Sequence, residues 1–107
     1  LGLVNDEDYA FTCARDLYHL KHLSPRRIEL ELGRKGIDPE LCRQAAAQFE
    51  DEDTKQQLDA LLRRKYLRYL WEEKGRNKTI GALSRLGYSY DEIKSAIRRV
   101  KEEEEAQ

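Results

Sequence analysis

Apolar residues recur at intervals of three and four along most of the chain, which is the spacing that buries one face of an α-helix. The first such run follows Asn5 and Asp6, whose side-chain oxygens suit the N-cap of a helix. Its inward positions are Ala10, Cys13, Ala14, Leu17 and Leu20. No segment alternates apolar and polar residues in the manner of a strand. The pattern therefore predicts an all-α protein.

Two pairs of residues predict where the next helices begin. Ser24-Pro25 and Asp38-Pro39 each join a capping oxygen to a proline, which is favoured at the first helical position because no N–H donor is needed there. The second helix should end at Gly36, since glycine best adopts a left-handed C-cap. The inward residues of the third helix are predicted to be Leu41, Ala45 and Phe49.

The second half of the chain predicts three more helices. A long fourth helix over 54–74 should follow an acidic stretch and stop at Gly75. Asn77 would cap a fifth helix, and Ser89 with Glu92 forms a capping box for a shorter sixth one. The inner stripe of the fourth helix would contain Leu58, Leu61, Leu62, Tyr66, Tyr69 and Leu70.

The two halves share a motif. Leu32-Gly33-Arg34-Lys35-Gly36 recurs in outline 51 residues later as Leu83-Ser84-Arg85-Leu86-Gly87. A period near 50 is typical of repeated helical units that bury their apolar faces together and bind partners along an extended surface. Beyond the shared glycine turn, the patterns suggest a one-residue shift that would place Leu41 on Ile93.

The predicted architecture is therefore two tandem three-helix repeats in an elongated, right-angled helical array. Residues 1–49 and 54–101 form the repeats, 50–53 an acidic connection, and 102–107 an acidic tail that is frayed or disordered.

The net charge of −1 conceals a strong segregation of charge. Residues 55–85 contain nine basic residues and only three acidic ones, whereas both 50–53 and 102–105 are wholly acidic. A local surface, and not the whole protein, should therefore attract an anionic partner. No apolar run approaches the ~20 residues that span a membrane. With no secretory leader and two isolated cysteines, Cys13 and Cys42, a reducing cytoplasmic location is expected. The protein is also expected to be a monomer.

Catalytic, metal and cofactor sites are not predicted. The chain has no Gly-rich phosphate loop, no HExxH motif and no Ser-His-Asp order. His19 and His22 lie about one turn apart, but no third ligand is suggested beside them. The expected class is an interaction protein, not an enzyme.

Several short motifs resemble the RecX family, the bacterial regulators of the RecA recombinase. These are Gly2-Leu3-Val4-Asn5-Asp6-x-x-Tyr9-Ala10, Ser24-Pro25-x-x-Ile28-x-x-Glu31-Leu32-x-x-Lys35-Gly36-Ile37 and Leu86-Gly87-Tyr88-Ser89-Tyr90-Asp91-x-Ile93. The first two resemble the family's second repeat and the last resembles its third. Since the family normally has three repeats, the chain, which also lacks Met, is expected to be a fragment. The resemblance implies a modulator, mostly an inhibitor, that binds the groove of the RecA–DNA filament and lowers its recombinase, ATPase and coprotease activity.

The best candidates for partner contact lie on the fourth helix. Arg64, Arg68 and Trp71 should share one helical face, where arginine binds anionic groups and tryptophan is a flat anchor. Lys65 is expected to snorkel along the apolar stripe. The other candidate contacts are Arg63, Arg26, Arg27, Arg34, Lys35, Arg76 and Lys78.

The positions of these candidates differ in what they suggest. Arg26 and Arg27 lie in a helix first turn, where the dipole disfavours cations and an external anion would compensate. Arg34 and Lys35 lie at a helix C-terminus, where cations already suit the dipole. Arg76 and Lys78 should lie in an exposed turn after Gly75. An alternative function is a helical module that binds single- or double-stranded DNA directly, for which a steep salt dependence would be diagnostic.

Overall fold

The computed structural model describes residues 6–49 and 51–106, and in this part of the chain every regular element is helical. The chain divides into two compact units, residues 1–50 and 51–107. The first unit contains α1 (Asp6–His19), α2 (Pro25–Arg34) and α3 (Pro39–Ala46). The second contains α4 (Asp51–Leu61), α5 (Glu73–Arg85) and α6 (Tyr90–Glu105). The prediction of an all-α chain with two groups of three helices is confirmed.

Each unit has its own apolar core. In the first unit, α1, α2 and α3 enclose Ala10, Ala14, Ile28, Leu32 and Ala45, all fully buried. The core of the second unit contains Leu58, Leu61, Leu62, Leu70, Leu83, Tyr88, Ile93, Ala96, Ile97 and Val100. Leu20, predicted to point inward, is 74% exposed because it follows the last residue of α1.

The predicted caps of α2, α3 and α6 are confirmed. Ser24 accepts a hydrogen bond from the backbone N–H of Arg27, and Asp38 accepts one from Glu40. Ser89 and Glu92 form the reciprocal capping box. These bonds satisfy N–H groups that have no partner within the helix. The predicted cap at Asn5 lies outside the described residues.

The repeated glycine turns have matching geometry. Gly36 and Gly87 have positive φ angles of 87° and 100°. In the first turn, the N–H of Ile37 bonds to the carbonyl of Leu32 at 3.3 Å; the same bond joins Tyr88 to Leu83 at 3.3 Å. Both are Schellman motifs, which bring the chain back towards the core after a helix.

The 51-residue register continues into the third helix of each unit, so the predicted one-residue shift is wrong. Cys42 corresponds to Ile93 at this offset, and both are buried. The next matching buried pairs are Ala45 with Ala96 and Ala46 with Ile97. Leu41, which suggested the shift, is only half-buried at the edge of the first core.

The prediction of one continuous helix over 54–74 is also wrong. After α4 the chain forms a π-helical turn at Leu62–Tyr66 and a 3-10 turn at Leu67–Tyr69 before α5 begins at Glu73. Gly75 therefore does not stop a helix but lies buried in the first turn of α5. A Cβ atom on Gly75 would lie 2.9 Å from the Cβ of Tyr69, so glycine permits this close approach.

Both acidic segments belong to helices. Asp51, Glu52 and Asp53 are the first turn of α4, where carboxylates favour the positive end of the helix dipole. The predicted acidic tail is instead the end of α6, which runs to Glu105 and, at 16 residues, is the longest helix in the described part of the chain. Glu50 and Gln107 lie outside the described residues.

Candidate partner-binding surface

The second unit has an open depression of about 810 Å³ with a basic and aromatic lining. We call it the basic depression; it is lined by Arg63, Arg64, Lys65, Leu67, Arg68, Trp71 and Glu104. The π-helical and 3-10 turns supply all of these residues except Trp71, which follows them, and Glu104, which belongs to α6.

The structure brings Arg64, Arg68 and Trp71 together, as predicted, but not on the face of a regular helix. The wider π turn and the tighter 3-10 turn replace the uniform 3.6-residue spacing on which the prediction depended. Tyr66 marks the junction, with φ −122° and ψ 1°. π-helical turns are rare and are often associated with functional sites.

Trp71 is 45% exposed and has polar neighbours on two sides. Its indole Nε1 donates a hydrogen bond to Oε1 of Glu105 at 3.4 Å. The Lys101 ammonium lies 5.8 Å from the centre of the indole ring, within cation–π range. A large aromatic side chain held at the surface between charged groups is suited to anchor a partner.

Arg68 is held by the aromatic side chain next to it. Its guanidinium donates a hydrogen bond to the Tyr69 hydroxyl at 2.9 Å and lies 5.0 Å from the ring centre. Tyr69 was predicted to point inward but is 40% exposed, because the 3-10 turn rotates it out of the apolar stripe. Lys65, expected to snorkel, is exposed and lines the depression.

The remaining candidates in the second unit have different surroundings from those predicted. Arg76 and Lys78 lie in α5, not in an exposed turn. The Arg76 guanidinium donates to the carbonyl oxygen of Leu70 at 3.2 Å, which stabilises the chain reversal before α5. Lys78 is exposed. Arg63 forms an ion pair with Glu103.

In the first unit, the basic candidates are distributed around α2. Arg27 and Arg34 both contact the Glu31 carboxylate, at 2.9 and 3.0 Å. Glu31 therefore supplies Arg27 with an anion from the same helix, which offsets the unfavourable dipole without an external one. Lys35 is the exposed C-cap residue, and Arg26 is exposed beside a second depression of about 520 Å³.

The second depression has a mainly apolar lining, and Cys42 is the one nucleophilic side chain among the described residues in it. It is lined by Arg26, Glu29, Leu30, Gly33, Arg34, Pro39 and Cys42. Burial raises the pKa of the Cys42 thiol, and the nearby carboxylates of Glu29 and Asp38 raise it further. A thiol kept protonated in this way is a weak nucleophile, so Cys42 acts as a core residue.

Sequence reasoning missed a third surface between α5 and α6. Three of its four cationic residues lie on one face of α6 because they are spaced four and three apart: Lys94, Arg98 and Lys101. Tyr90, one turn before them, is 56% exposed, and the Lys94 ammonium lies 5.1 Å from its ring centre. The lining also includes three glutamates: Glu73, Glu102 and Glu105. The i, i+4, i+7 spacing of the three cations on α6 is the signal in the sequence that predicts this face.

Among the described residues, no helix is long and apolar enough to cross a membrane. The same residues include no group of three His, Cys, Asp or Glu side chains placed to hold a metal ion.

Comparison with known proteins places these features in context. Residues 5–45 match the model of the second three-helix domain of RecX. The chain is 32% identical over 103 residues to the regulatory protein RecX of Amycolatopsis mediterranei, covering 91% of this chain and 59% of that protein. It is 30% identical to the regulatory protein RecX of Streptomyces coelicolor, covering 97% and 56% of the two chains. The chain thus spans little more than half the length of these curated relatives.

A solved structure agrees with the sequence comparisons. The crystal structure of RecX from Lactobacillus salivarius superposes with a TM-score of 0.76 at 27% identity. The match covers 94% of this chain and 66% of the other. The succession of helices described above is therefore similar to that of a regulatory protein of known structure.

Proposed function

This chain belongs to the RecX family of regulatory proteins, and on that premise we propose that it modulates the RecA recombinase by binding the RecA–DNA filament. Binding in the filament groove would lower the recombinase, ATPase and coprotease activities. In this proposal the first unit corresponds to the family's second repeat and the second unit to its third. The protein acts as a cytoplasmic monomer that binds and does not catalyse.

The observation that carries the proposal is the basic depression. Arg64 and Arg68 are exposed beside Trp71, so guanidinium groups able to bind carboxylates or phosphates adjoin an aromatic anchor. A filament of protein on DNA presents anionic groups of both kinds. Arg63 and Lys65 extend the positive charge along the same depression.

Basic contacts in both units would act together. Arg26, Arg34 and Lys35 provide exposed positive charge in the first unit, independent of the basic depression. When two weak contacts belong to one chain, binding at the first raises the effective concentration of the second. Loss of one unit should therefore reduce filament affinity more than loss of a single side chain.

Reversal of two charges tests this assignment. In the variant Arg64→Glu/Arg68→Glu, we expect filament affinity to fall by at least roughly 100-fold, since each lost charge-assisted contact is worth about 1.5–3 kcal/mol. Fluorescence anisotropy with labelled protein and RecA filaments on single-stranded DNA measures the change. Inhibition of the filament's ATPase should be lost in parallel.

The matched control is Lys55→Glu/Arg85→Glu, which makes the same charge change at two exposed positions outside the basic depression. It should retain affinity to within about threefold. Circular dichroism should give equal helicity for both variants. Unchanged affinity in Arg64→Glu/Arg68→Glu would move the contact to another surface.

A second candidate function, direct nucleic-acid binding, is favoured by the α6 surface. Exposed Tyr90 offers a ring for base stacking, and Lys94, Arg98 and Lys101 provide positive charge along the same helix. With three phosphate contacts, a plot of the logarithm of the binding constant for single-stranded DNA against the logarithm of the salt concentration would have a slope of about −2. Binding to DNA alone with that slope, and without preference for the filament, would favour this function.

A further inference from the structure

The acidic end of α6 lies against the basic depression. The Glu103 carboxylate forms an ion pair with Arg63, Glu104 lines the depression, and Glu105 accepts the hydrogen bond of the Trp71 indole. Trp71 and Glu105 are 34 residues apart, so their contact is tertiary and not a by-product of helical spacing. The depression therefore has an anionic neighbour supplied by the chain itself.

The end of α6 is electrostatically unfavourable when considered alone. Four consecutive glutamates, 102–105, repel each other and lie at the negative end of the helix dipole, and the last turn has no basic residue. Lys101, one turn before Glu105 on α6, and Arg63, from another segment, both supply positive charge that offsets this repulsion.

The contact is weak enough to exchange. The side chains of Arg63 and Glu103 remain 40% and 55% exposed. An ion pair so open to water shifts an equilibrium by no more than about fivefold, because water screens the charges and two long side chains must be ordered. A partner with better-placed carboxylates can therefore replace the end of α6 without unfolding the unit.

We propose that the basic depression recognises an acidic helix end of a partner protein, and that the end of α6 is an internal competitor which this partner displaces. The inference rests on the proposed function only in placing the partner at this depression. The chemistry comes from the chain's own contacts, in which a helix end rich in carboxylates pairs with an arginine and with the indole N–H. A protein segment is favoured over a phosphate backbone because the observed occupant has this form.

Binding of a defined peptide tests the proposal without a filament. The probe is a labelled alanine-rich helical peptide of about 20 residues that ends in four glutamates, with a matched peptide ending in four glutamines. In the full chain, Glu103→Gln/Glu104→Gln/Glu105→Gln removes the internal competitor. We expect the Kd for the acidic peptide to fall by roughly fivefold, and the glutamine peptide to bind neither protein.

A control variant separates local displacement from net charge. Glu29→Gln/Glu40→Gln/Glu52→Gln also removes three negative charges, which takes the formal net charge from −1 to +2. These three residues are exposed and do not line the basic depression. We expect this variant to bind the acidic peptide as the unmodified chain does. Equal gains in the two variants would overturn the proposal, because net charge alone would then explain them.

Trp71 provides a readout that needs no ligand, since it is the only tryptophan in the chain. Removal of the three carboxylates should increase quenching of its fluorescence by iodide, an anion that the carboxylates repel. The control variant should be quenched as the unmodified chain is. Equal quenching in all three proteins would contradict the contact between α6 and Trp71.

The same titrations with a single-stranded oligonucleotide distinguish the two chemistries. A gain for the oligonucleotide with none for the acidic peptide would overturn the proposal in favour of a phosphate partner. The peptide titration contains no RecA. If the separate filament experiment showed no binding, the proposed function would fail, but the result of the peptide titration would be unaffected. Failure of the unmodified chain and the variant to bind the acidic peptide would reject this inference alone.

Discussion

The two units share one turn motif but differ in the helices on either side of it. In the first unit, α3 is eight residues long and buries small side chains: Cys42, Ala45 and Ala46. In the second, α6 is 16 residues long and buries larger ones at the matching positions, including Ile93 and Ile97. The longer helix brings its acidic end to the basic depression. The same local motif thus supports a compact unit in one case and a charged surface in the other.

The route from the first helix to the second also differs between the units. In the first unit, α1 ends at His19 and a residue with positive φ, His22, precedes the Ser24 cap. In the second, a π-helical turn and a 3-10 turn follow α4, and Glu72, the N-cap residue of α5, makes no side-chain capping bond. The irregular segment is the one that presents Arg64 and Arg68.

Cores of different size predict unequal costs for truncation at equivalent positions. Ile93→Ala should destabilise the protein by about 2–5 kcal/mol, because it leaves a cavity at a fully buried site. Cys42→Ala removes only a thiol and its contact with the Ile37 carbonyl, so about 1 kcal/mol is expected. Urea unfolding measures both. Equal losses would contradict the prediction that the larger side chains of the second core make truncation there more costly.

Two glycine substitutions in α5 test the close approach of Tyr69 that distinguishes the second unit. Gly75→Ala should cost about 1–3 kcal/mol, since the added methyl group collides with the backbone and Cβ of Tyr69. Gly81→Ala, in the same helix, meets nothing within 4 Å and should stabilise by about 0.5–1 kcal/mol. Thermal unfolding of the pair tests the contrast. A stabilising Gly75→Ala would contradict the close approach of Tyr69 to α5.

Capping residues provide the smallest and cleanest comparison. Ser24→Ala and Ser89→Ala each remove a side-chain cap and should cost about 1 kcal/mol. Asn77→Ala should be neutral or slightly stabilising, because Asn77 lies inside α5 and caps nothing. Urea unfolding of the three variants is sufficient. A loss of stability near 1 kcal/mol in Asn77→Ala would instead support the prediction from the sequence that Asn77 caps this helix.

The caps and glycine turns show which features of the fold could be predicted from the sequence. It succeeded at Ser24, Asp38, Ser89 and the glycine turns because each signal is local: a capping oxygen or a residue that tolerates positive φ. It failed at Gly75, where a glycine read as a helix stop instead permits a tertiary contact with Tyr69. Periodicity alone cannot distinguish these two uses of glycine.

The residues of the candidate surface could be predicted from the sequence, but their backbone conformation and their tertiary contacts could not. Arg64, Arg68 and Trp71 were identified from a helical spacing that the segment does not have, although they do line one depression. The contacts of Glu103 and Glu105 with this surface could not be inferred from spacing, because they join distant parts of the chain. A run of glutamates at a helix end is usually solvated, and only the fold places this one beside arginine.

The most direct test of the proposed function compares binding of the unmodified chain to RecA filaments on single-stranded DNA with binding to the same DNA alone, at about 0.15 M salt where the screening length is about 8 Å. The account predicts preference for the filament, and loss of that preference in Arg64→Glu/Arg68→Glu. Equal or tighter binding to the bare DNA would contradict it and would identify the chain as a nucleic-acid-binding module.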